Sequence, residues 1–583
     1  MTECSRCDTP AQKGVPRRCA PRMTEKNPPH PAPSPPALAG GEGKTRRVEH
    51  AAPVERENDA MWITPREWRG KTRRCGADSP IAADLPAASS SETAAPRTRS
   101  LDLLCAALAA AVVARLWVAP MWSSLWIDEI GTWWATKERF GDILGRSRLL
   151  IQPLLHVAIV WGTRQLLGGG EAALRLPSLA AALLAVWAIY RLGRELFDRE
   201  TAVLAAGLFL AFPPIVHAAH DARAYALGAL AVIVAAWMLA RWARTGRPAY
   251  ATGYAAAAGA TIYLHYLLAA VIPAHVAWLW LVARRRASHA RLSQVLAVLA
   301  AIAILAAPAL VLVLEIKRTG PLHAFVGAPG PRDVIEALLP QRVLGPLLLG
   351  VLAVFVAARR RFRLRLRPDS GSAIALLLLW MLVPVGLLAA AAVATGLGVF
   401  HQRFLMSIVP AQALLLARLV RGIEPAGGRR VVLALYLAII LAARGIVPAP
   451  VREDWAGAAA ALRAANRGRP VLLGGTFVES RSVALVRDPV HEDYLRAPLD
   501  YYDAGGKTIV LPLRAESARE AEAYADEVLR SARIEGGFAL IERTSQFPSW
   551  SDWLAQRARE KGLAMRRVWD GERLKAWVFD RSP

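Results

Sequence analysis

From Leu101 onward the chain is a succession of apolar runs, most of them near the ~20 residues that a helix needs to cross a bilayer, joined by short polar links. The runs fall at 101–120, 173–192, 201–219, 224–240, 250–266, 267–283, 292–314, 343–358, 372–394, 403–420 and 430–447. They predict a polytopic α-helical membrane domain of about eleven transmembrane helices over 99–447. A further apolar stretch, Pro153 to Trp161, is too short to span. It is expected to lie along the interface as an amphipathic or re-entrant helix, inside one large loop over 121–172. Ahead of the first run, residues 1–98 show no sustained periodicity and are rich in Pro, Ser, Ala, Arg and Thr, so a disordered tail is expected there. The first thirty residues lack an apolar core of the kind a signal peptide needs, and Met23 and Met61 are alternative starts. Past about 448 the pattern changes to strands at 470–473, 508–511, 537–541 and 576–579, alternating with helical stretches at 516–532 and 549–562. That alternation predicts a C-terminal soluble α/β domain over 448–583. It carries no Gly-rich phosphate loop.

Composition and charge set the orientation. The chain is 54% hydrophobic yet carries a formal net charge of +25, a combination suited to apolar spans with basic loops on one side. Every second link is basic: Arg191, Arg194 and Arg199; Arg241, Arg244 and Arg247; Arg284 to Arg286 with Arg291; Arg359 to Arg367; and Arg421, Arg429 and Arg430. With the tail inside, this alternation places the 121–172 loop and the C-terminal domain outside. Only 315–342, with Lys317, Arg318 and Arg332, departs from it. Nucleic-acid binding does not account for the charge, because the arginines punctuate apolar runs instead of forming one basic face. An excess of arginine over lysine and abundant alanine suggest a GC-rich bacterial genome, and hence a bacterial inner membrane. All five cysteines, Cys4, Cys7, Cys19, Cys75 and Cys105, precede residue 106, so no disulfide can staple the later chain.

The candidate chemistry centres on Leu125-Trp126-Ile127-Asp128-Glu129-Ile130-Gly131-Thr132-Trp133-Trp134, directly after the first span. Ionisable groups at a membrane edge are expensive and are kept mainly for function. Asp128 is the expected catalytic base, and Glu129 is either a second catalytic group or an orienting partner. Five further pieces follow in order. They are Gln152-Pro153-Leu154-Leu155-His156, Ala172 to Ser178 around Arg175, Asp221-Ala222-Arg223-Ala224-Tyr225, Leu264-His265-Tyr266, and Gln402-Arg403-Phe404-Leu405 before Pro410.

In order and spacing these residues resemble the GT-C membrane glycosyltransferases, in the branch of the protein O-mannosyltransferases and the lipid A aminoarabinose transferase, over roughly 100–460. The sequence departs from that pattern where Gln152 and a single Pro153 stand for two prolines after His or Lys. It departs again where Asp221 replaces Glu, and where Phe404 replaces Tyr. The resemblance implies a GT-C fold and an inverting transfer of a sugar from a polyprenyl-phosphate carrier to a lipid, glycan or protein acceptor on the outer face. No cofactor is required. Asp128 would take the acceptor proton. Arg223 and Arg403 lie near outer helix ends, where a forked guanidinium suits carrier-phosphate oxygens, unless they anchor headgroups instead. Asp221, Tyr225, His265, Tyr266 and His156 belong with them in the substrate site, and Arg175 either joins the functional motifs or holds the loop onto the second span. Tyr225, Tyr266 and the Trp133-Trp134 pair either stack on sugar and carrier or form an aromatic belt. His156, His220, His265 and His401 share the outer half with these carboxylates. A divalent metal is compatible with that set, but no tight ligand spacing assigns one. The competing readings are a polyprenyl-diphosphate-dependent glycan ligase or polymerase and, from another class, a transporter or lipid flippase. Transporters usually carry matching half-repeats with broken helices, and no such correspondence is present here.

Overall fold

The computed structural model describes residues 96–150, 152–309, 328–358, 361–365, 371–445, 453–514, 518–531, 536–544 and 547–581. Residues 1–95 of the expected tail, the cysteines within it, Lys317, Arg318 and part of the arginine run 359–367 lie outside the described residues, while 96–98 already belong to the first helix.

Among the described residues, nine helices are long and apolar enough to cross a membrane, beginning with α1, Arg99–Trp122. The pair Arg199–Leu210 and Pro213–Ala219 is long and apolar enough only when taken together, and is bent by 65°. The bend has a local cause, since consecutive prolines at 213 and 214 lack the N–H groups that would continue the first helix. The fifth expected span, 250–266, is the helix Pro248–Leu264, whose 17 residues rise about 25 Å. The 153–161 stretch forms the helix Leu154–Leu167, at 14 residues too short to cross. The protein is thus a polytopic helical membrane protein, with the expected runs forming helices.

The helices pack through small residues that let backbones approach. A Cβ on Gly193 would lie 2.9 Å from the Ala202 Cα, so Glu171–Leu196 and Arg199–Leu210 meet almost backbone to backbone. The arginines gather at the end of the bundle where α1 begins. Arg430 pairs with Asp102 at 2.6 Å, Arg429 with Glu200 at 2.7 Å, Arg421 with Asp198 at 3.4 Å, and Arg241 and Arg244 both with Glu195. The opposite end, where α1 finishes, carries the 121–172 loop.

The C-terminal residues build a five-stranded sheet from β1 (Val471–Gly474), β2 (Thr508–Leu511), β3 (Phe538–Arg543), β4 (Leu563–Asp570) and β5 (Leu574–Arg581). Its order is β2-β1-β3-β5-β4, with β1 parallel to both neighbours and β5 antiparallel to β3 and β4. The two-residue period of a strand splits its apolar side chains between two cores. Leu472, Leu540, Trp577 and Phe579 pack under the helices Ala518–Ser531 and Trp550–Glu560. Leu473, Ala539, Ile541, Ala576 and Val578 face the other way, into a core shared with Leu125, Ile127, Ile130 and Trp134 of the loop. The α/β domain and the loop are therefore one packed body. The strand β4 was not anticipated: as an edge strand its residues after Leu563 are mostly exposed, so it lacks the apolar run that marked the others.

Candidate active site

The helix α2, Ile127–Ala135, starts immediately after α1 is stopped near Pro120. Asp128 and Glu129 occupy its first turn, where the helix dipole favours carboxylates. Neighbours on an α-helix point about 100° apart, so the two acids face different surroundings. Glu129 points inward and is fully buried. Its Oε1 accepts from Arg175 Nε at 2.7 Å and the Ala222 N–H at 2.8 Å, while Oε2 accepts from Arg175 Nη2 at 2.5 Å and the Trp126 N–H at 3.2 Å. Arg175 in turn donates to the carbonyls of Pro120, Met121, Ser123 and Ser124. One buried ion pair thus ties the second span, the end of α1, α2 and the Asp221 turn together.

Asp128 faces the open side, with 27% of its side chain exposed. Its Oδ2 accepts from Arg403 Nη1 at 2.9 Å, and its backbone carbonyl accepts from Arg223 Nη1 at 3.3 Å. Arg403 Nε is buried without a partner among the described residues, and the guanidinium lies 5.2 Å above the Phe404 ring. Burial alone would depress the Arg223 guanidinium, but Asp128, Tyr225 and Asp221 beside it outweigh that and raise it, so its charge is permanent.

The remaining residues singled out in the sequence gather around this carboxylate and its two guanidinium groups. The His265 ring lies 5.6 Å from Tyr225, 5.3 Å from Tyr266 and 5.2 Å from Phe404. Asp221 is buried and accepts from Trp126 Nε1 at 3.0 Å. Burial, opposed by His217 and reinforced by Glu129, raises its carboxyl to about 6. Burial and the nearby Arg223 push His156 down to about 3, so it is a neutral imidazole at working pH. Beside this cluster an apolar crevice opens between Pro153, Leu154, Ile262, Tyr263, Tyr266 and Ala309. Trp133 and Trp134 pack on Tyr501 and Tyr494 of the C-terminal domain, at 5.1 and 5.2 Å. No group of three or more His, Cys, Asp or Glu side chains among the described residues is arranged to hold a metal ion.

Two residues at this site were not found from the sequence. Glu479 and Tyr494 come from the segment between β1 and β2, and both are buried. Burial, opposed by a backbone hydrogen bond and reinforced by the charge of Asp128, pushes Glu479 up to about 7. The Tyr494 hydroxyl is raised by burial and by Glu479 and Asp128. Nothing in their local sequence separates them from ordinary surface positions of a soluble domain.

Residues 151–312 match the family model of the dolichyl-phosphate-mannose-protein mannosyltransferases. No curated protein matches the chain. Among solved structures it is similar to ArnT from Cupriavidus metallidurans bound to undecaprenyl phosphate, at 12% identity over 82% of this chain and 98% of that one, with a TM-score of 0.44. It is also similar to the Archaeoglobus fulgidus oligosaccharyltransferase in complex with Zn and sulfate, at 13% identity over 76% and 68% of the two chains, with a TM-score of 0.40. A third similarity is to the arabinofuranosyltransferase AftD from Mycobacteria, at 15% identity over 82% and 41%, with a TM-score of 0.43.

Proposed function

We propose that this chain, which resembles the GT-C membrane glycosyltransferases, moves a sugar from a polyprenyl-phosphate carrier to a hydroxyl-bearing acceptor on the outer face of a bacterial inner membrane. The observation that carries the reading is the partly exposed Asp128 carboxylate bonded to Arg403 at 2.9 Å, with Arg223 on its own backbone carbonyl. A base and two permanent cations at one membrane edge are the groups that such a transfer uses.

The chemistry follows from those positions. The acceptor oxygen attacks C1 of the sugar as its proton passes to a carboxylate oxygen of Asp128. The C1–O bond to the carrier breaks, its electron pair staying on the phosphate oxygen, and the sugar inverts at C1. The leaving phosphate gathers charge as this bond breaks, and Arg223 and Arg403 are the cations that stabilise it. Arg403 has Nε to offer as a second donor. A carrier phosphate that draws Arg403 to itself also releases Asp128 from its ion pair, which couples donor binding to exposure of the base. Glu129, with both oxygens occupied by Arg175 and backbone donors, acts by positioning. His265, Tyr225 and Tyr266 flank the phosphate side.

The test is transfer of radiolabelled sugar from a panel of polyprenyl-phosphate monosaccharides by membranes holding wild type or Asp128→Asn at equal expression. Label is expected to reach an acceptor with wild type, and the variant to be slower by about 10²–10⁴-fold. Transfer that survives in Asp128→Asn would remove the base from this account, and no transfer from any monophosphate donor would remove the donor class.

A further inference from the structure

The helix carrying Asp128 is nine residues long, far below the length at which a helix is stable by itself. Its first turn has unpaired backbone N–H groups that something must satisfy. Three consecutive N–H groups lead into Asp128, and each is taken by a side-chain oxygen. Trp126 donates to Glu129 of the same helix at 3.2 Å. The other two reach across more than three hundred residues: Leu125 donates to the Tyr502 hydroxyl at 2.7 Å, and Ile127 donates to Glu453 Oε2 at 2.9 Å. Glu453 is buried, and its other oxygen accepts from Arg543 Nε at 2.7 Å, which ties it to the sheet through β3. The Tyr502 hydroxyl donates onward to Glu171 Oε1 at 3.2 Å, at the start of the second span.

The far end of α2 is held by the same domain. Asp493 accepts from Trp134 Nε1 at 2.8 Å and from Lys137 Nζ at 2.9 Å. Between the two ends, a Cβ on Gly131 would meet the rings of Phe477 and Tyr494 at 3.7 Å, so the domain rests directly on the helix one turn after Asp128.

We infer that the C-terminal domain is built into the catalytic centre as a clamp: Glu453 and Tyr502 at one end of α2, and Asp493 at the other, set where the Asp128 carboxylate stands. The catalytic consequence rests on the transfer reading above. The clamp itself does not, because it is a statement about the backbone of 125–137. These three are positioning residues. They act through the helix, and a displacement of about 1 Å at a reacting group can cost about 100-fold in rate.

The experiment uses the full-length protein in nanodiscs, with Tyr502→Phe, Glu453→Gln and Asp493→Asn, and with Arg487→Gln as a control in the same domain. Arg487 pairs with exposed Glu527 and lies over the Tyr524 ring at 5.0 Å, and all three are far from α2 in the chain. Amide hydrogen exchange over 124–137 is read first. Tyr502→Phe and Glu453→Gln are expected to speed exchange at 124–131 by about 10-fold, and Asp493→Asn at 132–137, with β1 and β3 unchanged and the control silent. Transfer kinetics are read second. The clamp variants are expected to lose about 10–100-fold in kcat with KM for the carrier within about 2-fold, and to lose nothing further in an Asp128→Asn background. Unchanged exchange over 124–137 overturns the clamp, as does a loss of activity that multiplies with Asp128→Asn. Faster exchange in a protein whose wild type transfers no sugar leaves the clamp standing and overturns the transfer reading instead. Should Glu453→Gln not fold, Tyr502→Phe, which removes a single oxygen, decides the same question.

Discussion

Adjacent carboxylates at 128 and 129 differ in almost every physical respect except their place in the chain. Glu129 is enclosed and satisfied by Arg175 and two backbone donors, whereas Asp128 is partly open and shares its charge with Arg403. A buried pair is costly to break from one side, because the surviving charge is left without a partner. Arg175→Met is therefore expected to destabilise the protein by about 3–5 kcal/mol, while Arg403→Met, whose partner reaches solvent, should lower stability far less. Thermal unfolding in detergent compares them, and equal shifts would contradict the distinction. Glu479 offers a second residue-scale test through pH. Its folded carboxyl holds its proton up to about 7 against 4.5 for an ordinary Glu, so the folded state binds more protons between those values. Stability contributed at this residue is present below 4.5, declines as pH rises to 7, and is level above, a change on the order of 3 kcal/mol. The melting temperature of Glu479→Gln is expected to lack that decline and to exceed wild type at pH 8. A parallel pair of curves would place the titration elsewhere.

At the scale of elements, close packing of helices depends on a few positions that have no side chain. A methyl group on Gly193 would meet backbone at Ala202 and the side chain of Leu414 at 3.3 Å, so the second and third spans must part to admit it. Gly193→Ala is expected to cost about 1–3 kcal/mol. Gly162, on the short helix Leu154–Leu167, has nothing within 4 Å of such a methyl, and Gly162→Ala should gain up to about 1 kcal/mol from helix propensity. Opposite signs in their melting temperatures are the expected result. Equal signs would mean that neither the contact nor the propensity governs these helices. The same short helix also shows why the number of spans is ambiguous in the sequence. Its apolar residues resemble those of a crossing helix, and only its length and the parity of the arginine loops separate it from one.

For the molecule as a whole, the basic links and their acidic partners, Asp102, Glu195, Asp198 and Glu200, lie at one end of the bundle. The Asp128 loop and the C-terminal domain share a core at the end where α1 finishes. Positive charge is retained on the cytoplasmic side during insertion, so the Asp128 end is expected outside. In a background free of the native cysteines, a single cysteine replacing exposed Arg566 should react with an impermeant maleimide on intact cells. One replacing Arg285 should react only after permeabilisation. The reverse pattern would invert the orientation and with it the face on which transfer occurs.

Much of this was written in the order of residues along the chain. Membrane spans are local properties, because about twenty consecutive apolar residues must be buried in lipid whatever surrounds them, and the alternation of arginine-rich links follows from the same linear order. Strands such as Val471–Gly474 and Thr508–Leu511 were legible because their apolar residues are consecutive. The Asp128-Glu129 pair stood out because charge at a membrane edge is expensive. What the linear pattern does not contain is contact between residues far apart. Glu129 became a structural partner only when Arg175 reached it, and Arg403 met Asp128 across 275 residues. Glu453 and Tyr502 met the backbone beside Asp128 from a domain whose sequence reads as an independent α/β unit. Hydrophobic periodicity names the buried face of an element but not its partner. Here the partner decided which of two neighbouring acids stays open and what holds it in place.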